Sequence, residues 1–317
     1  MDRRIERHHP DLDRIIAPGT EVIELASGGV FDDLGGGPSY QFACTLEGPA
    51  WVEDEGYLFF SDIGNDRRMK WEPGQGLDVL HQPTNHANGA TLDPAGRIVA
   101  CEHSARRVTR RELDGSITVV ADSWDGKRLS RPNDVVVRAD GSVYFTAPWW
   151  DFGSDERREI DFNGVFRVSP DLASVTPVVR DFELPNGLCF SSDEAVLYIN
   201  DTRRHHIRAF DVMPDGSLDL GSDRVFAELE GDAPGAPDGM KVDVEGNVYC
   251  GGSGGLWILD PSGRHLGTVV HGAAQTNNLA FGGSEWKTLY FVSWVLLGCV
   301  EVQIPGVPVP SRPGVQE

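Results

Sequence analysis

Hydrophobic and polar positions alternate along most of the chain, and the alternation falls into a pattern that recurs six times. Each copy reads as a polar residue, a small residue, an apolar run, a tight turn and a second apolar run. The copies are EGPAWVEDEGYLFFSD (47–62), NGATLDPAGRIVACEH (88–103), NDVVVRADGSVYFTAP (133–148), NGLCFSSDEAVLYIND (186–201), DGMKVDVEGNVYCGGS (238–253) and NLAFGGSEWKTLYFVS (278–293). Alternation on both sides of a tight turn predicts two antiparallel strands per copy.

Further hairpin patterns lie between the copies, for example RVTRRELDGSITVV (107–120) and IRAFDVMPDGSLDL (207–220). They bring the count to four strands per repeat, and successive copies begin 40 to 53 residues apart. A unit of this size with four antiparallel strands is typical of a propeller blade. The sequence therefore predicts an all-β, six-bladed β-propeller. A pair of β-sandwiches would not require one register to recur six times.

The segment before the first copy holds one strand candidate, Glu21–Ala26, and then a glycine-rich passage, Gly28–Pro38, whose glycines would let it move as a lid. We expect the strand to close the ring by pairing with the last blade. Residues 1–18 are predicted to form a loosely ordered N-terminal tail, and residues 19–317 a single propeller domain.

The residue that opens each copy is expected to face the central channel, because the first strand of a blade lies nearest the axis. These six ring residues are Glu47, Asn88, Asn133, Asn186, Asp238 and Asn278. Carboxylate and amide oxygens without thiolates or imidazoles suit a hard divalent cation. We expect Ca²⁺, with Mg²⁺ or Mn²⁺ as alternatives and Zn²⁺ as a poorer match.

Asn-Gly and Asp-Gly are also common turn dipeptides, which is the simpler interpretation of the ring residues. In five copies, however, the opening residue lies eight residues before the position of the tight turn, at Gly96, Gly141, Glu194, Gly246 and Trp286. A turn dipeptide has no reason to keep that offset from a second turn. The constant offset favours the metal-ring hypothesis.

The second strand of each copy runs back to the same end of the channel and should line its mouth. His103 ends one such strand, and it either transfers a proton, hydrogen-bonds substrate or is structural. Trp149 and Trp150 follow another strand and either pack or bind substrate.

The chain has 317 residues with 28 basic and 49 acidic ones, a formal charge of −21. Such a surface repels phosphate backbones and anionic lipids, so neither nucleic acid nor membrane is an expected partner. The longest nearly apolar stretch, 291–300, is about half of the ~20 residues that a membrane-spanning helix needs. We expect a cytoplasmic monomer or homodimer that acts on a small-molecule substrate.

Five motifs occur in order along the chain: EGPAW (47–51), CEHSARRVTR (101–110), RPNDVVV (131–137), LPNGLCFSSDE (184–194) and APDGMKVDVEGNVY (236–249). Together they resemble the SMP-30/gluconolactonase/LRE-like family, which includes regucalcin and bacterial gluconolactonases. The resemblance implies a metal-dependent lactonase with a six-bladed propeller fold. It implies metal binding by Glu47, Asn186 and Asp238, with Asp238 also as general base, and it places Asn133 and Arg131 at water or substrate. Asn88 is expected beside the metal or the substrate.

The chain departs from the family pattern where it reads FTAPWWDF (145–152), because bacterial gluconolactonases usually read something like FTDPPYG there. Ala147 replaces an acidic residue, and Trp149 and Trp150 add apolar area to the mouth. The last blade, with VSWVLLGCVEV (292–302), is also more apolar than a sugar pocket needs. These differences favour a less polar lactone or cyclic ester over a sugar lactone.

The leading hypothesis is hydrolysis of a lactone, with Asp238 as base and with Glu102, Asp201 or His103 as substitutes if the metal holds Asp238 too tightly. A second hypothesis keeps the metal but changes the reaction to aryl-ester or phosphotriester hydrolysis, or to rearrangement of a cyclic substrate. A third is a calcium-binding propeller without catalysis.

Overall fold

The computed structural model describes residues 3–28, 45–150, 157–273 and 275–309, and in these ranges the chain is nearly all β. The N-terminal segment contains β1 (Arg4–Arg7), a short 3₁₀ helix (Pro10–Arg14) and β2 (Ile23–Ser27). None of the helices in these ranges is long and apolar enough to cross a lipid bilayer.

Six antiparallel sheets follow in chain order and form six blades. Blade 1 contains β3 (Leu46–Val52), β4 (Tyr57–Asp62), β5 (Arg67–Glu72) and β6 (Gly76–His81). Blade 2 contains β7 (Ala87–Leu92), β8 (Ile98–Glu102), β9 (Arg107–Arg111) and β10 (Ile117–Ala121), and a hairpin of β11 (Ser123–Trp124) and β12 (Lys127–Arg128) follows it. Blade 3 contains β13 (Val135–Val137), β14 (Val143–Ala147), β15 (Asn163–Val168) and β16 (Val175–Phe182). Blade 4 contains β17 (Pro185–Phe190), β18 (Val196–Asp201), β19 (His206–Val212) and β20 (Leu218–Glu228). Blade 5 contains β21 (Met240–Val242), β22 (Val248–Gly252), β23 (Gly255–Leu259) and β24 (His265–Val270). Blade 6 contains β25 (Asn278–Gly282), β26 (Thr288–Val292) and β27 (Leu296–Glu301).

The first strands of the blades meet around one axis. Each contacts the first strand of the next blade, and β25 of blade 6 contacts β3 of blade 1, so the sheets form a closed ring. The N-terminal strand β2 pairs antiparallel with β27 and supplies the outer strand of blade 6. The predicted six-bladed propeller, closed by an N-terminal strand, is confirmed.

Glycines beside the ring residues explain how the inner strands pack so closely. A Cβ atom on Gly89 would lie 2.5 Å from the backbone oxygen of Asn133, and one on Gly187 would lie 2.1 Å from that of Asp238. Both dipeptides, Asn88-Gly89 and Asn186-Gly187, lie inside strands and not in turns. The glycines therefore serve the approach of neighbouring backbones, and the turn interpretation does not hold for these two dipeptides.

The N-terminal segment corrects one prediction, since residues 3–18 are not a loose tail. Strand β1 pairs with β24 as a fifth strand of blade 5. Leu12, Ile15 and Ile16 are 0–2% exposed and belong to the largest apolar cluster, which joins blades 5, 6 and 1. Three apolar side chains on one side of a helical turn bury enough surface to hold the segment, although charged residues surround them in sequence. The candidate lid lies outside the described residues from position 29 onward.

Leu12→Ala is expected to lower the free energy of unfolding by about 2–5 kcal/mol, because it empties a fully buried site. Urea unfolding followed by tryptophan fluorescence measures the change. Leu113→Ala is the control, since Leu113 is 81% exposed and its loss should cost less than about 0.5 kcal/mol. Equal stability of the two variants would instead support the prediction that residues 1–18 form a loosely ordered tail.

Candidate functional site

A cavity of about 670 Å³ opens at one end of the axial channel. Ten of its fourteen lining residues have polar or charged side chains, and the residues come from all six blades or the segments that join them. The lining residues are Thr45, Glu47, Ile63, Asn88, His103, Asn133, Trp150, Asn186, Thr202, Ala236, Asp238, Gln275, Asn277 and Trp294.

Five of the six ring residues line this cavity, namely Glu47, Asn88, Asn133, Asn186 and Asp238. The sixth, Asn278, is buried behind Glu47 and donates from Nδ2 to Glu47 Oε2 at 2.9 Å. The backbone N–H of Gly48 also donates to Oε2, at 2.8 Å. Both hydrogen bonds of this carboxylate in the described ranges fall on one oxygen, which leaves Oε1 for the cavity.

The amides of three blades form a chain of hydrogen bonds across the cavity wall. Asn88 Nδ2 lies 2.9 Å from both His103 Nε2 and Asn133 Oδ1. Asn133 Nδ2 in turn donates to Asn186 Oδ1. Because Trp150 Nε1 also donates to Asn133 Oδ1, at 3.2 Å, the oxygen of Asn133 accepts two bonds and its nitrogen is directed toward Asn186. One of the two tryptophans of the mouth thus orients an amide of the ring.

The two carboxylates of the ring strongly disfavour each other's charge. The pKa of Glu47 is raised to about 8; burial is the main cause, and the charge of Asp134 acts in the same direction. Part of the Asp238 side chain is open to the cavity, but the surrounding protein desolvates it and raises its pKa well above the ordinary value. The Glu47 and Asp134 charges act in the same direction. Two acidic side chains at one axial site are costly unless a cation accompanies them.

The donor set fits a hard divalent cation. It offers carboxylate oxygens from Glu47 and Asp238 and an amide oxygen from Asn186, and a divalent charge would offset the repulsion between the carboxylates. No three His, Cys, Asp or Glu side chains in the described ranges are grouped as a metal site. A cation here would therefore depend on amide oxygens and water to complete its coordination.

His103 lies on the cavity wall and is neutral at pH 7. Burial is the main cause that lowers its pKa, to about 3, and the charge of Arg131 acts in the same direction. A neutral imidazole of this kind can accept or donate a hydrogen bond but is a weak base.

Several other predicted residues lie elsewhere. Arg131 and Trp149 do not line the cavity; the guanidinium carbon of Arg131 lies 5.8 Å from the Trp149 ring centre, and that of Arg106 lies 5.5 Å from it. Glu102 faces a different cavity, between blades 1 and 2. Asp201 is fully buried and accepts backbone N–H groups, including that of Leu184 at 3.1 Å.

Sequence reasoning did not identify Gln275, although its Nε2 donates to Asp238 Oδ2 at 3.3 Å. It also missed Thr45, Thr202 and Asn277. Gln275 and Asn277 lie just before the sixth copy, and Thr45 lies just before the first, so polar residues preceding each inner strand were the available signal.

The fold and the cavity define a six-bladed propeller with an oxygen-lined axial site. Residues 45–295 match the family described as the SMP-30/Gluconolactonase/LRE-like region, and the chain belongs to this family.

Individual proteins are similar over most of the chain. A gluconolactonase from Zymomonas mobilis is 28% identical over 90% of this chain and 83% of its own. A pentonolactonase from Haloferax volcanii is 27% identical over 78% of this chain and 81% of its own. The solved structure of a gluconolactonase from Xanthomonas campestris superposes with a TM-score of 0.81 at 28% identity and covers 94% of both chains.

The raised pKa of Glu47 predicts how pH affects the metal-free protein. A carboxyl with a folded pKa of about 8 and an ordinary value of 4.5 contributes stability that is complete below about pH 4.5 and is lost as the pH rises through 8. In the presence of a chelator, melting temperatures measured from pH 6 to pH 9 should fall less for Glu47→Gln than for the unmodified protein. Exposed Glu55→Gln is the control and should keep the original slope. Identical slopes for all three would contradict the assigned environment of Glu47.

Proposed function

We propose that this protein is a metal-dependent hydrolase that opens the ring of a hydroxylated lactone. The observation that carries the proposal is the meeting of Glu47, Asn186 and Asp238 in one axial cavity. Similarity to proteins named gluconolactonase and pentonolactonase, over most of the chain, supports the same reaction class.

Glu47, Asn186 and Asp238 would hold the cation, and Ca²⁺ matches their oxygens best. A bound divalent ion supplies Lewis-acid polarisation of the lactone carbonyl and makes nearby water more acidic. Asn133 directs its amide nitrogen toward Asn186 and so orients one of the ligands.

Asp238 is the proposed general base that takes the proton of the attacking water. In the metal-free protein, burial and the charges of Glu47 and Asp134 raise its pKa, and a bound cation would favour the ionised form that can accept a proton. Of the substitutes, Glu102 and Asp201 do not line the cavity, and His103 is held neutral with a pKa of about 3. His103 is better suited to hydrogen-bond the substrate than to deprotonate water.

Two side-chain oxygens of residues that line the cavity indicate that the substrate carries hydroxyl groups. Thr45 Oγ1 and Asn88 Oδ1 belong to side chains that are 8% and 5% exposed, and neither atom has a hydrogen-bond partner in the described ranges. Buried polar atoms are rarely left without partners. Both atoms are covered in the structure, so each side chain would turn toward the cavity to meet a substrate hydroxyl, and a hydroxylated substrate would satisfy both.

A less polar lactone or aryl ester is the second candidate. Trp150 lines one side of the mouth, and Trp294, which is 44% exposed, lines another. Their rings would cover the apolar face of such a substrate.

Protein stripped with a chelator is expected to lose lactonase activity and to regain it with Ca²⁺, tested beside Mg²⁺, Mn²⁺ and Zn²⁺. Asp238→Asn should lower kcat on gluconolactone by about 10²-fold or more, because the proton acceptor is gone. Proton release at saturating metal measures the rate. Exposed Asp232→Asn, from the segment that precedes Asp238, is the control and should stay fully active. Normal turnover of Asp238→Asn would refute both roles given to this residue.

Thr45→Val is expected to distinguish the two candidate substrates. The substitution removes the hydroxyl group of Thr45 and keeps nearly the same side-chain shape. We therefore expect kcat/KM to fall about tenfold for gluconolactone and to stay unchanged for dihydrocoumarin, which has no hydroxyl groups. The unmodified protein should prefer gluconolactone. A preference for dihydrocoumarin that Thr45→Val does not alter would favour the less polar substrate instead.

A further inference from the structure

A second cavity, of about 550 Å³, lies between blades 1 and 2, and its walls are unusually basic. Arg68 and His81 of blade 1 face Arg107, Thr109 and Arg111 of blade 2 across it. Adjacent blades usually bury apolar faces against each other. Here the apolar cluster between blades 1 and 2 is the smallest in the described chain, and it involves Ala100 but not the basic residues farther along the blades.

Strand alternation directs the basic residues of blade 2 into this space. Arg107, Thr109 and Arg111 occupy alternate positions of β9 and share one face. Arg110 occupies the other face, where its Nε donates to Glu112 at 2.9 Å.

Arg68 is a buried guanidinium without an ion pair in the described ranges, and its carbon lies 5.3 Å from the centre of the Phe59 ring. It is 1% exposed, its Nη1 donates to Ser61 Oγ at 2.9 Å, and its Nε has no hydrogen-bond partner in the described ranges. The adjacent Arg67 is equally buried but pairs with Asp62 at 2.8 Å. Burial lowers the pKa of Arg68 to about 10. An unpaired buried charge is costly, so a partner from solution would be stabilising.

The acidic side chain nearest to this cavity is already engaged. Glu102 accepts from Arg107 Nε at 2.8 Å, from Thr109 Oγ1 at 2.8 Å and from Asn85 Nδ2 at 2.9 Å. It forms ion pairs with neither Arg68 nor Arg111 among the described residues. Glu102 therefore pairs directly with Arg107. Its charge also favours the protonated form of Arg68, but it accepts no hydrogen bond from Arg68 or Arg111 among the described residues.

His81 indicates that these two guanidiniums converge on the same space. Burial lowers its pKa to about 4, and the charges of Arg68 and Arg111 are the next two causes. The imidazole is therefore neutral at pH 7 and can donate or accept a hydrogen bond beside them.

We propose that this cavity binds the anionic group, a phosphate or a carboxylate, of a small organic molecule, held between Arg68 and Arg111. Guanidinium groups match both oxyanions with paired N–H donors. Ile98 and Ile117 on the remaining wall would contact an apolar part of the same molecule. This site is separate from the axial cavity and does not depend on the proposed lactonase activity.

Inorganic phosphate and acetate, added separately at constant ionic strength to chelator-treated protein, test the proposal and distinguish the two sources of charge. Isothermal titration calorimetry should show saturable binding of at least one of them. Arg111→Gln is expected to weaken that binding about tenfold, and Arg68→Gln to do the same. Arg111 is only partly buried, so its variant remains informative if Arg68→Gln does not fold.

Arg110→Gln is the matched control, because it removes an arginine from the opposite face of the same strand and should leave binding unchanged. Asp238→Asn should also leave it unchanged, since the axial site is not involved. Absence of saturable binding for both anions, or equal binding by Arg111→Gln and the unmodified protein, would overturn the proposal.

Discussion

The close approach of the inner strands at the axis is the constraint on which the rest of the structure depends. Where a glycine follows the ring residue, the neighbouring backbone occupies the place of its Cβ, as at Gly89 and Gly187. At these positions the strand presents to the channel only the side chain of the ring residue that precedes the glycine. Amides that are 45 and 53 residues apart in sequence therefore lie close enough to hydrogen-bond, from Asn88 to Asn133 and from Asn133 to Asn186.

That same crowding concentrates negative charge where the protein has little means to neutralise it. Glu47, Asp134 and Asp238 all have raised pKa values because of burial. The positive charge of Lys241 lowers the pKa of both Glu47 and Asp134. It is the smallest of the causes given for Glu47, and for Asp134 it is smaller than the effect of burial. The axial site thus gathers charges that burial disfavours, which is common where chemistry requires groups that folding alone would not place together.

The period of the sequence predicted the fold and most of the axial ring because both follow from backbone register. Glu47, Asn186 and Asp238 could be located this way, and the turn residues eight positions after the openings all have positive φ, even the non-glycines Glu194 and Trp286. Contacts between side chains of different blades leave no such period. Arg131 lies over the Trp149 ring and does not enter the cavity. This placement depends on side-chain packing that the sequence pattern does not encode. The burial of Leu12 was missed because charged neighbours in sequence say little about which face of a segment meets the core.

The pairing of β2 with β27 joins the early and late parts of the chain in one sheet. As the chain leaves the ribosome, β2 emerges long before its partner, so blade 6 cannot be completed until almost all of the protein has been synthesised. During that interval the edge of β2 is open to pairing with other chains. Closure of the ring over such a large separation in sequence is also a slow kind of folding step. The strand that secures the finished ring is thus without its native partner for almost the whole of synthesis.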